Sequence, residues 1–190
     1  MTGLLLNPAT DPSNSVQAEL GDLLQGKILL QTRSHSAWGG AVTAQMHLPQ
    51  PRHHIWSQLT NYSRWVDYFP SMTGSTRLTP PDDRHIRIHQ TATKDFLMLA
   101  VQVEIYLRVF ERCNSHRHQI QFCMEHGSFS DFYADLMLED CDRGTLLTYS
   151  VSATPSIPVP SPLIQQAIRL DLPHNLKTMR RVLCESAEAV

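Results

Sequence analysis

The stretch AVTAQMHLPQPRHHIWSQLTNYSRWVDYFP, residues 41–70, begins with the pattern of a half-buried strand. Apolar residues occupy the even positions from 42 to 48 and mostly polar residues occupy the odd positions, which predicts a strand with one buried face. The Pro-x-Pro sequence that follows ends the strand, because proline cannot donate a ladder hydrogen bond. A short helix that carries Ile55, Trp56 and Leu59 is predicted next.

A second short helix is predicted after Asn61, which is a suitable N-cap residue. Side chains at i, i+3, i+4 and i+7 give this helix one strongly aromatic face: Tyr62, Trp65, Val66 and Phe69. Pro70 ends the helix. The stretch therefore predicts a strand followed by two short helices.

The order of these features resembles the opening of the START/SRPBCC superfamily, in particular its polyketide cyclase/dehydrase and coenzyme Q-binding (lipid transport) branch. The resemblance rests on the Pro-x-Pro break, Ile-Trp, Asn-Tyr-x-x-Trp and Phe-Pro. It continues in GSFSDFYADLMLE (127–139), GTLLTYSV (144–151) and PSPLIQQAIRLDLPHNLKTMRRVL (160–183). The resemblance implies an α+β helix-grip fold, in which a curved antiparallel sheet wraps around a long C-terminal helix and an apolar ligand cavity.

The alternation of apolar and polar residues in the rest of the sequence agrees with such a sheet. Alternating segments predict further strands at 27–33, 84–93, 97–112, 116–124, 128–139 and 145–153. The C-terminal helix has an apolar stripe, and Pro173 predicts a kink or break near Asp171. We expect a flexible N-terminal arm over residues 1–26 and a single START-like ligand-binding domain over residues 27–190.

Composition narrows the class of protein. The 190 residues, 42% of them hydrophobic, fit one domain with a core. A net charge of −2 gives no footprint for nucleic acid. The apolar run FLMLAV (96–101) is far shorter than the roughly 20 residues of a membrane helix, so we expect a cytoplasmic protein. The four cysteines lack CxxC spacing and indicate neither a zinc site nor disulfides, and we expect no cofactor.

Many apolar side chains are predicted to point toward one interior. Apolar stripes alone usually form a packed core, whereas the resemblance favours a hydrophobic cavity. The predicted ligand-binding residues are Trp65, Phe69, Ile88, Val103, Ile105, Leu107, Phe122, Met124, Phe132, Leu136, Tyr149, Ile164 and Ile168.

Signals for catalysis and metal binding are thin, and we assign no catalytic or metal-binding residue. Glu104, Tyr106 and Arg108 are predicted on the solvent face of a strand. Glu125 and His126 are better acid–base candidates, because the end of a strand can reach the rim of a cavity. The ten histidines do not form a recognisable ligand set by spacing, so solvated histidines are the favoured interpretation.

Three classes of function remain open. The leading hypothesis is non-enzymatic binding, transport or chaperoning of a hydrophobic small molecule, such as a lipid or an isoprenoid quinone. One alternative is an enzyme that resembles polyketide cyclases and aromatases. Another is an assembly factor that binds a protein partner, for which Trp38 is the large aromatic left outside the predicted core. A basic face on the last helix, with Arg169, Lys177, Arg180 and Arg181, leaves peripheral contact with a membrane open.

Overall fold

The computed structural model describes residues 12–96, 99–157 and 161–185, with side chains described for 16–93, 102–157 and 172–185. These residues form an eight-stranded antiparallel sheet and four α-helices. The strands are β1 (Ile28–Ser34), β2 (Gly40–Leu48), β3 (Met72–Arg77), β4 (Ile86–Phe96), β5 (Leu99–Cys113), β6 (Arg117–Gly127), β7 (Phe129–Cys141) and β8 (Gly144–Pro155). The helices are α1 (Pro12–Leu24), α2 (Arg52–Leu59), α3 (Trp65–Tyr68) and α4 (Ser161–Glu185).

The strand order is β1-β2-β8-β7-β6-β5-β4-β3. Strands β3 to β8 form a meander in which each strand pairs with the next along the chain. The hairpin of β1 and β2 joins this meander through β8, with Gly40 opposite Ala153. Helix α4 packs against β2 and α3, so the sheet, α3 and α4 enclose one interior.

The alternation read from the sequence sets the inner face of the sheet. Along β2, the even-numbered residues from Val42 to Leu48 are buried and the residues between them are partly exposed. The inward residues of β5 to β8 follow the same rule where their side chains are described. The predicted period of two is confirmed because each strand has one face against the core.

The segment after α2 differs from the predicted helix. It is a 3-10 turn (Tyr62–Arg64) followed by the single turn of α3. A 3-10 turn repeats every three residues, so the buried face comprises Tyr62, Trp65 and Tyr68, and Tyr68 replaces the predicted Val66. Asn61 occupies the N-cap position, but its side chain makes no capping hydrogen bond.

Of the kink or break predicted near Asp171, the structure contradicts the break, because α4 runs continuously through Pro173. A proline inside a helix removes one backbone hydrogen bond. Beyond the proline, Leu176, Met179 and Leu183 are fully buried, and this packing holds the second half of the helix in place. Tertiary burial therefore outweighs the local cost of the proline.

The N-terminal helix is longer than the one or two turns that the sequence predicts around Leu20. Helix α1 contacts β1 and β2 and buries Leu23. Arg180 on α4 donates hydrogen bonds to the carbonyl oxygens of Gly26 and Lys27, just after α1. The boundary between an arm and a domain at residue 26 stays a prediction. Within the described segments, no helix is both long enough and apolar enough to cross a membrane.

Candidate ligand-binding site

A cavity of about 160 Å³ lies inside the sheet, between α3 and strands β3, β4, β5, β7 and β8. Most of its lining is aromatic or aliphatic, and a few neutral polar groups complete it. The described lining residues are Trp65, Phe69, Met72, Gln90, Thr91, Ala92, Val103, Ile105, Phe129, Phe132 and Tyr149. A cavity with such a lining suits an apolar ligand that carries a small number of polar atoms.

Six of the residues predicted to bind a ligand line this cavity: Trp65, Phe69, Val103, Ile105, Phe132 and Tyr149. Four others, Ile88, Leu107, Phe122 and Leu136, lie in the packed core with at most 2% of their surface exposed. Met124 is partly buried against that core. The side chains of Ile164 and Ile168 lie outside the part of the chain whose side chains are described.

The boundary between the cavity and the filled core crosses β5. On β5, Val103 and Ile105 line the cavity, whereas Leu107 is opposite Ile88 and Met124 in the filled core. The rings of Trp65 and Phe122 meet edge to face there, with centroids 4.8 Å apart. Ile105 and Leu107 both point inward from β5, yet the first lines the cavity and the second lies in the packed core.

The aromatic side of the cavity is a connected set of rings. Trp65 stacks on Phe69 at 5.8 Å between centroids, and Phe69 lies 6.3 Å from Tyr149. Across the cavity, Phe129 and Phe132 lie 5.7 Å apart. Trp65 is fixed in place because its Nε1 donates a hydrogen bond to the carbonyl oxygen of Leu59 at 2.8 Å.

The sequence prediction missed five lining residues: Met72, Gln90, Thr91, Ala92 and Phe129. Gln90 could have been found, because it is the polar member of the inward series Ile86, Ile88, Gln90 and Ala92. Phe129 could not, because a register shift between Phe129 and Asp131 turns it to the same side of β7 as Phe132. Periodicity alone does not reveal such a shift.

A chain of hydrogen bonds starts at the cavity wall and runs through β3. The Gln90 Nε2 donates to the Ser75 Oγ at 3.2 Å, and this hydroxyl donates to the carbonyl oxygen of Tyr62 at 2.6 Å. The Tyr62 hydroxyl in turn donates to the Glu111 carboxylate at 2.5 Å. Burial and the hydrogen bond to Glu111 raise the pKa of Tyr62, so it stays protonated.

Tyr149 provides the other polar group of the wall on the β8 side. Burial alone raises the pKa of its hydroxyl, which is therefore neutral at physiological pH. No hydrogen bond joins this hydroxyl to any residue within the described ranges, and burial is the sole cause of its raised pKa. A neutral donor thus lines the cavity without a partner among the described residues.

The structure places Glu125 and His126 on the outer face of the sheet, away from the cavity rim where they were predicted. A β-bulge pairs Tyr106 with His126 and Leu107 with Met124, so Glu125 is the extra residue. The Arg87 Nε donates to Glu125 at 2.6 Å, and this hydrogen bond lowers the pKa of the carboxyl. The bulge therefore directs both candidates outward.

The outer face also carries the cluster around Glu104, as the alternation of β5 predicts. The Glu104 carboxylate accepts a hydrogen bond from the Tyr106 hydroxyl at 3.0 Å and lies 2.7 Å from the His89 Nε2. These hydrogen bonds lower the pKa of Glu104. The Tyr106 ring lies against those of His89 and His126. Among residues with described side chains, no group of three or more His, Cys, Asp or Glu could hold a metal ion.

The two remaining predicted surfaces have distinct surroundings. Trp38 lies in the loop between β1 and β2 and is 43% exposed, outside the core as predicted. On α4, Arg180 binds the carbonyl oxygens of Gly26 and Lys27, and Arg181 pairs with Glu185 at 3.1 Å. Arg180 is thus engaged in holding the N-terminal segment.

Comparison with solved structures shows the fold. A STAR-related lipid transfer protein from Xanthomonas axonopodis has a TM-score of 0.70 at 14% identity, over 82% of this chain and 93% of its own. A START superfamily protein from Mycobacterium smegmatis has a TM-score of 0.63 at 16% identity, over 77% and 98%. Human STARD10 has a TM-score of 0.64 at 9% identity, over 95% and 82%. The predicted helix-grip fold is confirmed.

Sequence comparison gives the family. No curated protein matches the chain. A family model described as polyketide cyclase/dehydrase and lipid transport matches residues 48–180, which is well over half of the chain. The matched part includes α2, α3, the strands of the meander and most of α4. The chain therefore belongs to the polyketide cyclase/dehydrase and lipid transport family.

Proposed function

We propose that this protein binds a hydrophobic small molecule in the cavity between α3 and the inner face of the sheet, without acting on it chemically. The observation that carries the proposal is the cavity wall, in which aromatic and aliphatic side chains surround a few neutral polar groups. The family, whose description includes lipid transport, agrees with such a role. Burial of apolar ligand surface against this wall provides the driving force.

The chemistry of the wall supports binding over proton transfer. Tyr149 is the titratable group among the described lining residues, and burial raises its pKa. A general acid or base works best with a pKa near the working pH. An enzyme that resembles a polyketide cyclase remains the alternative, and it would need a proton donor and acceptor in contact with the ligand.

The volume limits what the cavity can hold. Pockets for drug-sized ligands have about 300–1,000 Å³, whereas an engineered cavity of about 150 Å³ in another protein binds benzene. A cavity of about 160 Å³ therefore holds a single ring or a short branched chain as it stands. A ligand with the size of a lipid requires the walls to move apart.

Binding of toluene, measured by calorimetry and by NMR chemical shifts, tests the proposal. We expect saturable binding to the wild-type protein. Ala92→Phe should weaken this binding more than tenfold, because Ala92 lines the cavity and the new ring occupies its volume. Thr93→Phe is the matched control, because Thr93 is exposed on the other face of the same strand.

Three results decide the outcome. Wild-type protein that takes up toluene without saturation contradicts the proposal, and so does an Ala92→Phe variant that binds like the wild type. Mass spectrometry of an organic extract from gently purified protein supplies the natural ligand class. One hydrophobic molecule for each chain is the expected finding.

A further inference from the structure

Few polar side chains line the cavity. Four described lining side chains carry a nitrogen or an oxygen: Trp65, Gln90, Thr91 and Tyr149. The Trp65 Nε1 is used by the Leu59 carbonyl oxygen, and the Thr91 Oγ1 lies 3.0 Å from the Thr73 Oγ1. The Gln90 Oε1 and the Tyr149 hydroxyl are therefore the lining polar groups that make no hydrogen bond to a described residue.

The orientation of the Gln90 amide follows from its neighbour. The Ser75 hydroxyl has one hydrogen, and it uses this hydrogen on the Tyr62 carbonyl oxygen at 2.6 Å. Ser75 can therefore only accept from Gln90, so the amide nitrogen of Gln90 faces Ser75 at 3.2 Å. Ser75 and Gln90 are direct partners in the pairing of β3 with β4, which keeps the two side chains together.

This orientation leaves the amide oxygen of Gln90 available. Gln90 lines the cavity and is only 8% exposed, and no described residue donates a hydrogen bond to its Oε1. A ligand that fills the cavity would cover this acceptor and leave it without a donor unless the ligand itself supplies one, so a donor on the ligand is favoured. A pure hydrocarbon could not donate a hydrogen bond to the Gln90 Oε1.

The wall also distinguishes neutral ligands from anionic ones. The described lining residues include no Arg, Lys or His, so a carboxylate would lose its hydration without gaining a cationic partner. The Gln90 oxygen would in addition face the carboxylate oxygens, which accept hydrogen bonds and donate none. A hydroxyl group meets neither obstacle.

We propose that the Gln90 Oε1 accepts a hydrogen bond from a neutral hydroxyl group of the bound hydrophobic molecule. This inference rests on the proposed function and names the class of ligand, which is an alcohol or a phenol with an apolar body. The Tyr149 hydroxyl, on the β8 side of the cavity, can serve a second oxygen of the same ligand. Gln90 is then the residue that determines specificity.

Phenol and toluene provide a matched pair of probes, because they differ by a hydroxyl in place of a methyl group. For each protein, calorimetry gives the ratio of the Kd for phenol to the Kd for toluene. In Gln90→Leu this ratio should rise about tenfold, since the phenol hydroxyl loses its partner while the cavity keeps its shape. The control is Gln121→Leu on the outer face, where the Gln121 Nε2 donates to the Tyr133 hydroxyl, and its ratio should match the wild type.

Ser75→Ala tests the same idea with Gln90 in place. Without the Ser75 hydroxyl the amide is free to rotate, and the ratio should rise about threefold, a part of the full effect. This variant also decides the question if Gln90→Leu does not fold. Benzoate should bind at least tenfold more weakly than phenol to the wild type.

The outcomes separate the two proposals. If neither probe binds the wild-type protein, the proposed function itself fails. If toluene binds and Ala92→Phe abolishes this binding, but neither Gln90→Leu nor Ser75→Ala changes the ratio, the cavity binds ligands and the role of Gln90 is overturned. Benzoate that binds as tightly as phenol also overturns it.

Discussion

The buried tyrosine hydroxyls show how differently one chemical group can be used in the same protein. The Tyr62 hydroxyl donates to the Glu111 carboxylate, and the Tyr68 hydroxyl donates to the carbonyl oxygen of Gln58 at 3.1 Å. The Tyr149 hydroxyl has no partner among the described residues and lines the cavity. The first two hydroxyls therefore stabilise the fold, whereas the third faces the cavity with no partner among the described residues.

Replacing each hydroxyl separately should reveal this difference. Tyr62→Phe should lower the free energy of unfolding by about 1 kcal/mol, because a hydrogen bond to a charged but solvent-accessible carboxylate is lost. Tyr149→Phe should change stability by less than about 0.5 kcal/mol or increase it, because its hydroxyl makes no hydrogen bond to a described residue. Urea unfolding of both variants provides the measurement. Equal losses in the two variants would contradict the assignment.

Regular elements were predictable from the sequence, and the irregular ones were not. Alternation along β2 and β5 gave the correct inner face because those segments keep a strict period of two. The expectation that Glu125 and His126 reach the cavity rim is wrong because a bulge inserts one residue and leaves both on the outer face. The helical pattern missed Tyr68 because a 3-10 turn shortens the helical repeat. Both irregularities depend on neighbouring strands that a local pattern does not include.

The continuous course of α4 gives a further prediction about an element. Pro173→Ala should raise the free energy of unfolding by up to about 3 kcal/mol, because alanine restores a backbone donor inside the helix. Lys177→Ala, at an exposed position of the same helix, is the control and should change stability by less than about 0.5 kcal/mol. Chemical denaturation measures both variants. An unchanged Pro173→Ala variant would mean that the helix already accommodates the proline without cost.

Folding buries three tyrosines that belong to separate parts of the chain, and this makes the stability of the protein depend on pH. Tyr62 precedes α3, Tyr68 ends it, and Tyr149 lies on β8. Burial raises the pKa of all three, that of Tyr68 to about 12. Unfolding exposes them together, so their pKa values return to about 10 at the same time.

Stability should therefore decrease in alkali. Below pH of about 10 both states keep the three protons, and above it the unfolded chain releases them while the folded chain retains them. The free energy of unfolding should fall by about 1.4 kcal/mol per pH unit for each tyrosine. Urea unfolding between pH 8 and 11 measures the slope, and above pH of about 10 the slope for Tyr149→Phe should be smaller by about 1.4 kcal/mol per pH unit. The same slope in both proteins would refute the burial of Tyr149.

The distinction between cavity and core could not be predicted from the sequence. Inward positions such as Val103, Ile105 and Leu107 follow one pattern, yet the first two line the cavity and the third does not. What separates them is the tertiary packing around each residue, which a local sequence pattern does not include. The family resemblance predicted that a cavity exists, and its extent had to come from three-dimensional packing.

The pairing of β2 with β8 has a consequence for synthesis of the chain. Leu48 pairs with Thr145, roughly a hundred residues later. At roughly 5–20 residues per second, the ribosome takes about 5–20 s to supply the second strand after the first. During that interval the hairpin of β1 and β2 has an unpaired backbone edge, the kind of surface that other chains can join. The sheet is completed late, so the nascent chain depends on timely delivery of β8 to avoid aggregation.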